Sequence, residues 1–329
     1  MYTEIPFWLS MAFMLGGLAL LAWSSDLFVA GAAALARALG ISPFVVGMVV
    51  IGFGTSAPEL CVSVMSGISG HSNLSLGNAY GSCVFNIAAI LGVAAIIRPV
   101  SVKPATALVA PPVLAALSLL SFWILSDGVC SRPEALSLIV VFLVLLPLYC
   151  WFDQRTRGRP RGGAAVSQPA VPPAKSAAML VLGLAALIGS SHILVWGAVD
   201  FSRAMGVSDL MIGLTVVAAG TSLPELASAV ASARRGEHEF VLGNIVGSNL
   251  FNMLAVVGLA AAVSPAKGFS GYILSRDIPA MTALSLSIAL FGANWRRIRA
   301  RGRIGRAEGF VWVAVFIAYS ALVIWQETR

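Results

Sequence analysis

The sequence predicts an all-α integral membrane protein: ten transmembrane helices arranged as two inverted five-helix repeats, with helices 2 and 7 broken. Three observations carry this. The 329 residues are 58% hydrophobic and only 11% charged, where soluble domains average roughly 45–50% and about 25%. Ten apolar stretches follow one another, most of them near the ~20 residues that cross a bilayer. The segment Gly54-Thr55-Ser56-Ala57-Pro58-Glu59-Leu60 returns 166 positions later as Gly220-Thr221-Ser222-Leu223-Pro224-Glu225-Leu226.

The first stretch, 7–35, follows Met-Tyr-Thr-Glu-Ile-Pro. That start has neither the basic residues nor the small-residue cleavage site of a removable leader, so the stretch reads as a spanning helix. The second, 42–68, contains Pro58. Proline has no N–H and its ring crowds the preceding turn, so the carbonyl of Gly54 loses its intrahelical partner and the helix breaks there. Stretches 73–97, 104–126 and 134–152 complete a first half, 1–152, whose repeated core is 47–92. Residues 153–176, rich in Arg, Gly, Pro and Ala, read as a polar linker without a fold of its own. The second half, 177–329, holds stretches 177–204, 208–233, 239–263, 272–294 and 307–326, with a repeated core at 213–258 and a break at Pro224. The same shift continues without a gap. Leu76-Gly77-Asn78 matches Leu242-Gly243-Asn244, Gly81-Ser82 matches Gly247-Ser248, and Phe85-Asn86 matches Phe251-Asn252. Gly31, Gly40 and Gly47 match Gly197, Gly206 and Gly213, while Cys83 stands where the second copy has Asn249.

Charge sets the orientation. The net charge is +7, but the basic residues lie in short loops between apolar runs, which marks topology rather than a nucleic-acid partner. Alternate loops, those with Arg37, Arg98, Lys103, the linker arginines, Arg234, Arg235 and the run from Arg296 to Arg306, hold 16 Lys and Arg, and the opposite loops hold 5. The rich side is expected to be cytoplasmic. This places a multi-pass protein in the cell (inner) membrane, with the linker inside and both termini outside. Five helices per half is an odd number, so the second half enters the membrane upside down. Cys61, Cys83, Cys130 and Cys150 are scattered and read as small membrane-buried side chains rather than a metal or disulfide framework. Asp26, about 15 Å from the cytoplasmic end of its helix at 1.5 Å per residue, reads as structural, and Asp200 as hydrated near an interface.

A carboxylate at membrane depth is costly and marks function. Here one occurs twice, each beside a broken helix. Freed carbonyls need a partner in lipid, and the hydroxyls of Thr55, Ser56, Thr221 and Ser222 lie beside them. Oxygen ligands without sulfur or imidazole suit hard cations such as Ca²⁺ or Na⁺. Glu59 and Glu225 sum to −2, which one Ca²⁺ or two monovalent ions neutralise. A site of that kind exchanges one for the other. Ser82 and Asn86 share a helix face, as do Ser248 and Asn252, and Gly77, Gly81, Gly243 and Gly247 let their helices approach closely. An intramembrane enzyme would need a nucleophile or histidine beside the glutamates, and the motif has neither. A channel would draw its ring of ligands from several subunits, whereas one chain supplies both halves of this site, consistent with a working monomer.

These residues resemble the calcium/cation antiporter superfamily, the sodium/calcium exchangers and their prokaryotic relatives. Its hallmark is Gly-Thr-Ser-x-Pro-Glu followed by Gly-Asn-x-x-Gly-Ser-x-x-x-Asn/Asp, present here in both halves. The resemblance implies Ca²⁺ held by Glu59, Glu225 and the backbone carbonyls of Thr55 and Thr221. It implies Na⁺ sites that add Ser82, Ser248 and the carbonyls of Gly52 and Ala218. The ions are cargo, and no resident cofactor is implied. The resemblance also implies that the first helix of each half, carrying Gly31 or Gly197, belongs to the pair that slides across the core. Some relatives carry aspartate where this chain has Asn252, so the midplane charge is limited here to the two glutamates. Protons or K⁺ stand beside Na⁺ as the driving ion.

Overall fold

The computed structural model describes residues 6–156, 171–205, 218–297 and 300–327. α1 (Phe7–Leu39) ends at Gly40, whose left-handed backbone (φ 64°) lets its N–H reach the carbonyls of Ala36 and Arg37. α2 (Pro43–Thr55) starts behind Ser42, whose Oγ accepts from the N–H groups of Phe44 and Val45 at 3.1 and 3.3 Å. At Ser56 (φ −83°, ψ 9°) the chain bends by 45° into α3 (Ala57–Ile68). The break predicted from Pro58 is therefore present. α4 (Ser72–Ile97), β1 (Val100–Val102), α5 (Pro104–Leu125), β2 (Val129–Cys130) and α6 (Arg132–Thr156) complete the first half.

The second half runs α7 (Pro173–Ala204), α8 (Ala218–Thr221), α9 (Leu223–Arg235), α10 (His238–Val263), β3 (Ala266–Lys267), α11 (Ile273–Gly292), β4 (Gly302–Ile304) and α12 (Arg306–Glu327). Among the described residues, eight helices are long and apolar enough to cross a membrane, and the bent pair α2–α3 makes a ninth span. The α8–α9 break at Ser222 (φ −93°, ψ 9°) repeats that of Ser56. The start of this predicted seventh helix, with Gly206 and Gly213, lies outside the described residues, as do 157–170 of the linker. The nine spans accommodate the expected ten.

Packing sorts the helices by depth. α4 and α10 are largely buried, while α6, α7 and α12 turn most of their surface outward. Both central helices pass through a π-helical turn, Asn86–Leu91 in α4 and Phe251–Val256 in α10. Such turns insert a residue and re-aim side chains, often at functional sites. α1 and α7 lie antiparallel along nearly their whole length, with contacts exchanged across the 166-residue shift. A Cβ on Gly17 would sit 2.8 Å from the backbone N of Leu194, and one on Gly183 would sit 2.6 Å from that of Phe28. Position 183 is 17 shifted, and 194 is 28 shifted. Contacts exchanged in this way are what a two-fold axis produces. Ser24 meets its own repeat-mate Ser190 at 3.4 Å, and the hydroxyl of Ser10 donates to Asp200. Asp200, half-buried, thus ties α1 to α7.

The short strands follow the same relation. β1 pairs with β4 and β2 with β3, both antiparallel. β1 follows the third helix of its half, and β3 follows the corresponding helix of the other. All four cysteines are free: Cys83 and Cys130 are buried, Cys150 is half-buried and Cys61 is exposed.

Candidate cation site

α2 and α10 approach backbone to backbone. A Cβ on Gly52 would lie 2.9 Å from the N of Ser248, and one on Gly47 would lie 2.9 Å from the carbonyl of Phe240. No larger residue fits that crossing without moving a backbone. It brings the Ser248 hydroxyl to the Gly52 carbonyl at 3.2 Å, two of the residues expected to act together.

The breaks at Ser56 and Ser222 turn two carboxylates inward. Glu59 and Glu225 each sit in the first turn of the helix after the break, and they are 0% and 1% exposed. Each is bonded by the serine of the opposite half. Ser56 Oγ donates to Glu225 Oε1 at 2.8 Å, and Ser222 Oγ donates to Glu59 Oε1 at 2.8 Å. Thr221 lies against Glu59 and Thr55 against Glu225. Ser222 Oγ also reaches Ser82 Oγ at 3.5 Å. The second oxygen of each carboxylate, Oε2, is buried with no hydrogen-bond partner among the described residues.

Other expected residues divide. Thr55 Oγ1 donates to the carbonyl of Ile51 at 2.9 Å, so this hydroxyl stabilises its own helix. Asn86 and Asn252 are buried at the π-helical turns of α4 and α10. Ala218 opens α8, but its side chain lies outside the described residues. The Gly220 carbonyl is not left free as the proline argument expected, because Ser191 Oγ of α7 donates to it at 3.0 Å.

Two asparagines hold the glutamates from behind. Asn78 Nδ2 donates to the Glu59 carbonyl at 3.0 Å and to Ser63 Oγ at 2.9 Å. Asn244 Nδ2 donates to the Glu225 carbonyl at 3.3 Å and to Ser228 Oγ at 3.2 Å. Neither had been assigned a role from the sequence, although both lie in the repeated Leu-Gly-Asn. Identical polar residues 19 positions after each glutamate were the available signal.

Two carboxylates and the hydroxyls of Ser56, Ser82 and Ser222 thus meet in one buried region, drawn from both halves of the chain. The sequence matches the family described as sodium/calcium exchanger protein over residues 9–151 and 175–325. The chain belongs to that family. It is 37% identical over 317 residues to the putative antiporter CaxA of Alkalimonas amylolytica, covering 94% of this chain and 97% of that one. It is 33% identical to the inner membrane protein YrbG of Escherichia coli (strain K12), covering 96% and 97%. A solved structure of the sodium-calcium exchanger NCX_Mj, soaked with Na⁺ and Sr²⁺, superposes with a TM-score of 0.81 at 30% identity, covering 96% and 99%. This family membership makes the chain a multi-pass transporter rather than an enzyme.

Proposed function

We propose that the protein is a secondary antiporter that exchanges Ca²⁺ for Na⁺ by alternating access, with the ions bound at the bilayer midplane between Glu59 and Glu225. The observation that carries this is the pair of reciprocal bonds, Ser56 to Glu225 and Ser222 to Glu59, which leave both Oε2 atoms buried without a protein partner. A buried carboxylate without a counter-charge is strongly unfavourable. Two of them in one region require a dication, two monovalent cations, or protons. Ca²⁺ is held by the glutamates with the carbonyls of Thr55 and Thr221. Na⁺ engages Ser82, Ser248 and the carbonyls of Gly52 and Ala218, with Ser56, Ser222, Asn86 and Asn252 completing the surround. The working unit is a single chain in the inner membrane, with both termini outside and the linker cytoplasmic.

The test is isotopic Ca²⁺ uptake into proteoliposomes with Na⁺, K⁺ and pH gradients imposed one at a time. Uptake driven by an outward Na⁺ gradient at clamped pH is the expected result. Uptake driven only by a pH gradient makes it a cation/proton antiporter. A Na⁺ response that also requires K⁺ makes K⁺ a co-substrate. No gradient-driven Ca²⁺ uptake in any arm overturns Ca²⁺ as cargo.

A further inference from the structure

We propose that Asn249 is a positioning residue, which fixes the Asn86 amide with its oxygen free for a cation, and that Asn252 has no such holder. This rests on the reading of the buried region as an ion site. Asn86 lies one helical turn after Ser82, on the same face of α4, and Ser82 meets the Ser222 that bonds Glu59. Asn86 Nδ2 donates to Asn249 Oδ1 at 3.1 Å, while Asn86 Oδ1 is buried without a partner. An amide is planar, so pinning its nitrogen pins its oxygen. Asn249 itself is fully buried.

The repeat makes the inference sharper. Shifted by 166 positions, the pair Asn86–Asn249 becomes Asn252–Cys83. A thiol is a weak acceptor, and Cys83 instead turns its Sγ to the backbone carbonyl of Asn249, 3.8 Å away. Both polar atoms of the Asn252 side chain are left without a partner. One substitution between the repeats thus leaves two otherwise equivalent amides in different conditions. Asn86 is a pre-set oxygen ligand, whereas Asn252 takes its orientation from whatever occupies the site. Partners that hold a metal ligand in place change affinity by roughly tenfold or more when removed.

The experiment places at position 249 the residue that the first repeat carries there. Isotopic Ca²⁺ uptake into Na⁺-loaded proteoliposomes is measured for wild type, Asn249→Cys, Asn86→Ala and the double variant, resolving KM from maximal rate. The expected result is a KM raised roughly tenfold in Asn249→Cys with the maximal rate retained, and no additional effect of Asn249→Cys in the Asn86→Ala background. Coupled residues give this non-additivity. An unchanged KM in Asn249→Cys, or an equal further loss on top of Asn86→Ala, overturns the assignment. If Asn249→Cys does not insert as folded protein, Asn249→Ser, which also lacks an oxygen at that reach, is judged by the same outcomes. A wild type without ion-dependent uptake, run alongside, overturns the ion-site reading itself and this proposal with it.

Discussion

Glu59 and Glu225 carry the charge of the proposed site, and each is bonded by a serine that belongs to the other half of the chain. Replacing either glutamate by glutamine keeps the shape and removes one negative charge. A bound Ca²⁺ would then keep a net positive charge in a buried region, at a cost of several kcal/mol. Ca²⁺ flux in Glu59→Gln or Glu225→Gln should fall at least 100-fold while the protein still inserts. Near-normal flux in either variant, measured by isotope uptake, would remove the charge argument. Ser56→Ala and Ser222→Ala each delete one hydrogen bond to a carboxylate, worth about 1.5–3 kcal/mol. Each should raise the KM for Ca²⁺ roughly 10- to 150-fold, at about 1.4 kcal/mol per tenfold. The glutamates were legible in the sequence because a costly residue appears twice. Their partners were not: aligning repeats sets Ser56 beside Ser222, whereas the contact joins Ser56 to Glu225, and no one-dimensional match reports contacts between unlike positions.

The broken helices depend on how their freed carbonyls are satisfied, and the two halves differ in this. Ser191 Oγ caps the Gly220 carbonyl, while its repeat-mate Ser25 donates to Ala22 within its own helix. Ser191→Ala leaves a buried carbonyl short of a donor, which costs about 1–3 kcal/mol. Ser25→Ala removes only a local bond. Thermal unfolding in detergent should therefore drop by several degrees for Ser191→Ala and hardly at all for Ser25→Ala. Equal shifts would show that the α7 hydroxyl does not support the break. The breaks themselves could be read from Pro58 and Pro224, and the spans from runs of apolar residues. The π-helical turns at Asn86–Leu91 and Phe251–Val256 could not, because one inserted residue does not disturb the helical pattern of an all-apolar stretch. The reach of α7 beyond 177–204 was also hidden. Its first turn contains the buried Ser176, whose hydroxyl and N–H both bond the Pro172 carbonyl, a polar start that an apolar run does not mark.

At the scale of the whole molecule, the two halves depart from two-fold symmetry in how their helices pack. α1 packs against α9, and the guanidinium of Arg235 reaches both the Asp26 carboxylate (Nε to Oδ1, 3.5 Å) and the Asp26 carbonyl (3.2 Å). The repeat-mate contact, α7 against α3, is marginal. The bundle is therefore drawn together at the end where α9 meets the basic loop of Arg234 and Arg235. It is looser at the opposite end, where α3 leads into the turn at His71. Under the proposed orientation, with the basic face cytoplasmic, this arrangement opens outward. In a transporter of inverted repeats, the other state exchanges the two conformations about the fixed site. The Asp26–Arg235 pair then exists in one state and is lost in the other. Exposed pairs contribute about 0.2–1 kcal/mol, a shift of roughly 1.4- to 5-fold between states. Asp26→Asn and Arg235→Gln should each move the equilibrium toward the inward-facing state by that factor, and the double variant should move it no further. The measurement is the ratio of apparent Ca²⁺ affinities on the two faces of oriented proteoliposomes. Swapping the charges, Asp26→Arg with Arg235→Asp, should restore the wild-type ratio. Additive single effects, or a swap that restores nothing, would mean that the pair does not distinguish the states.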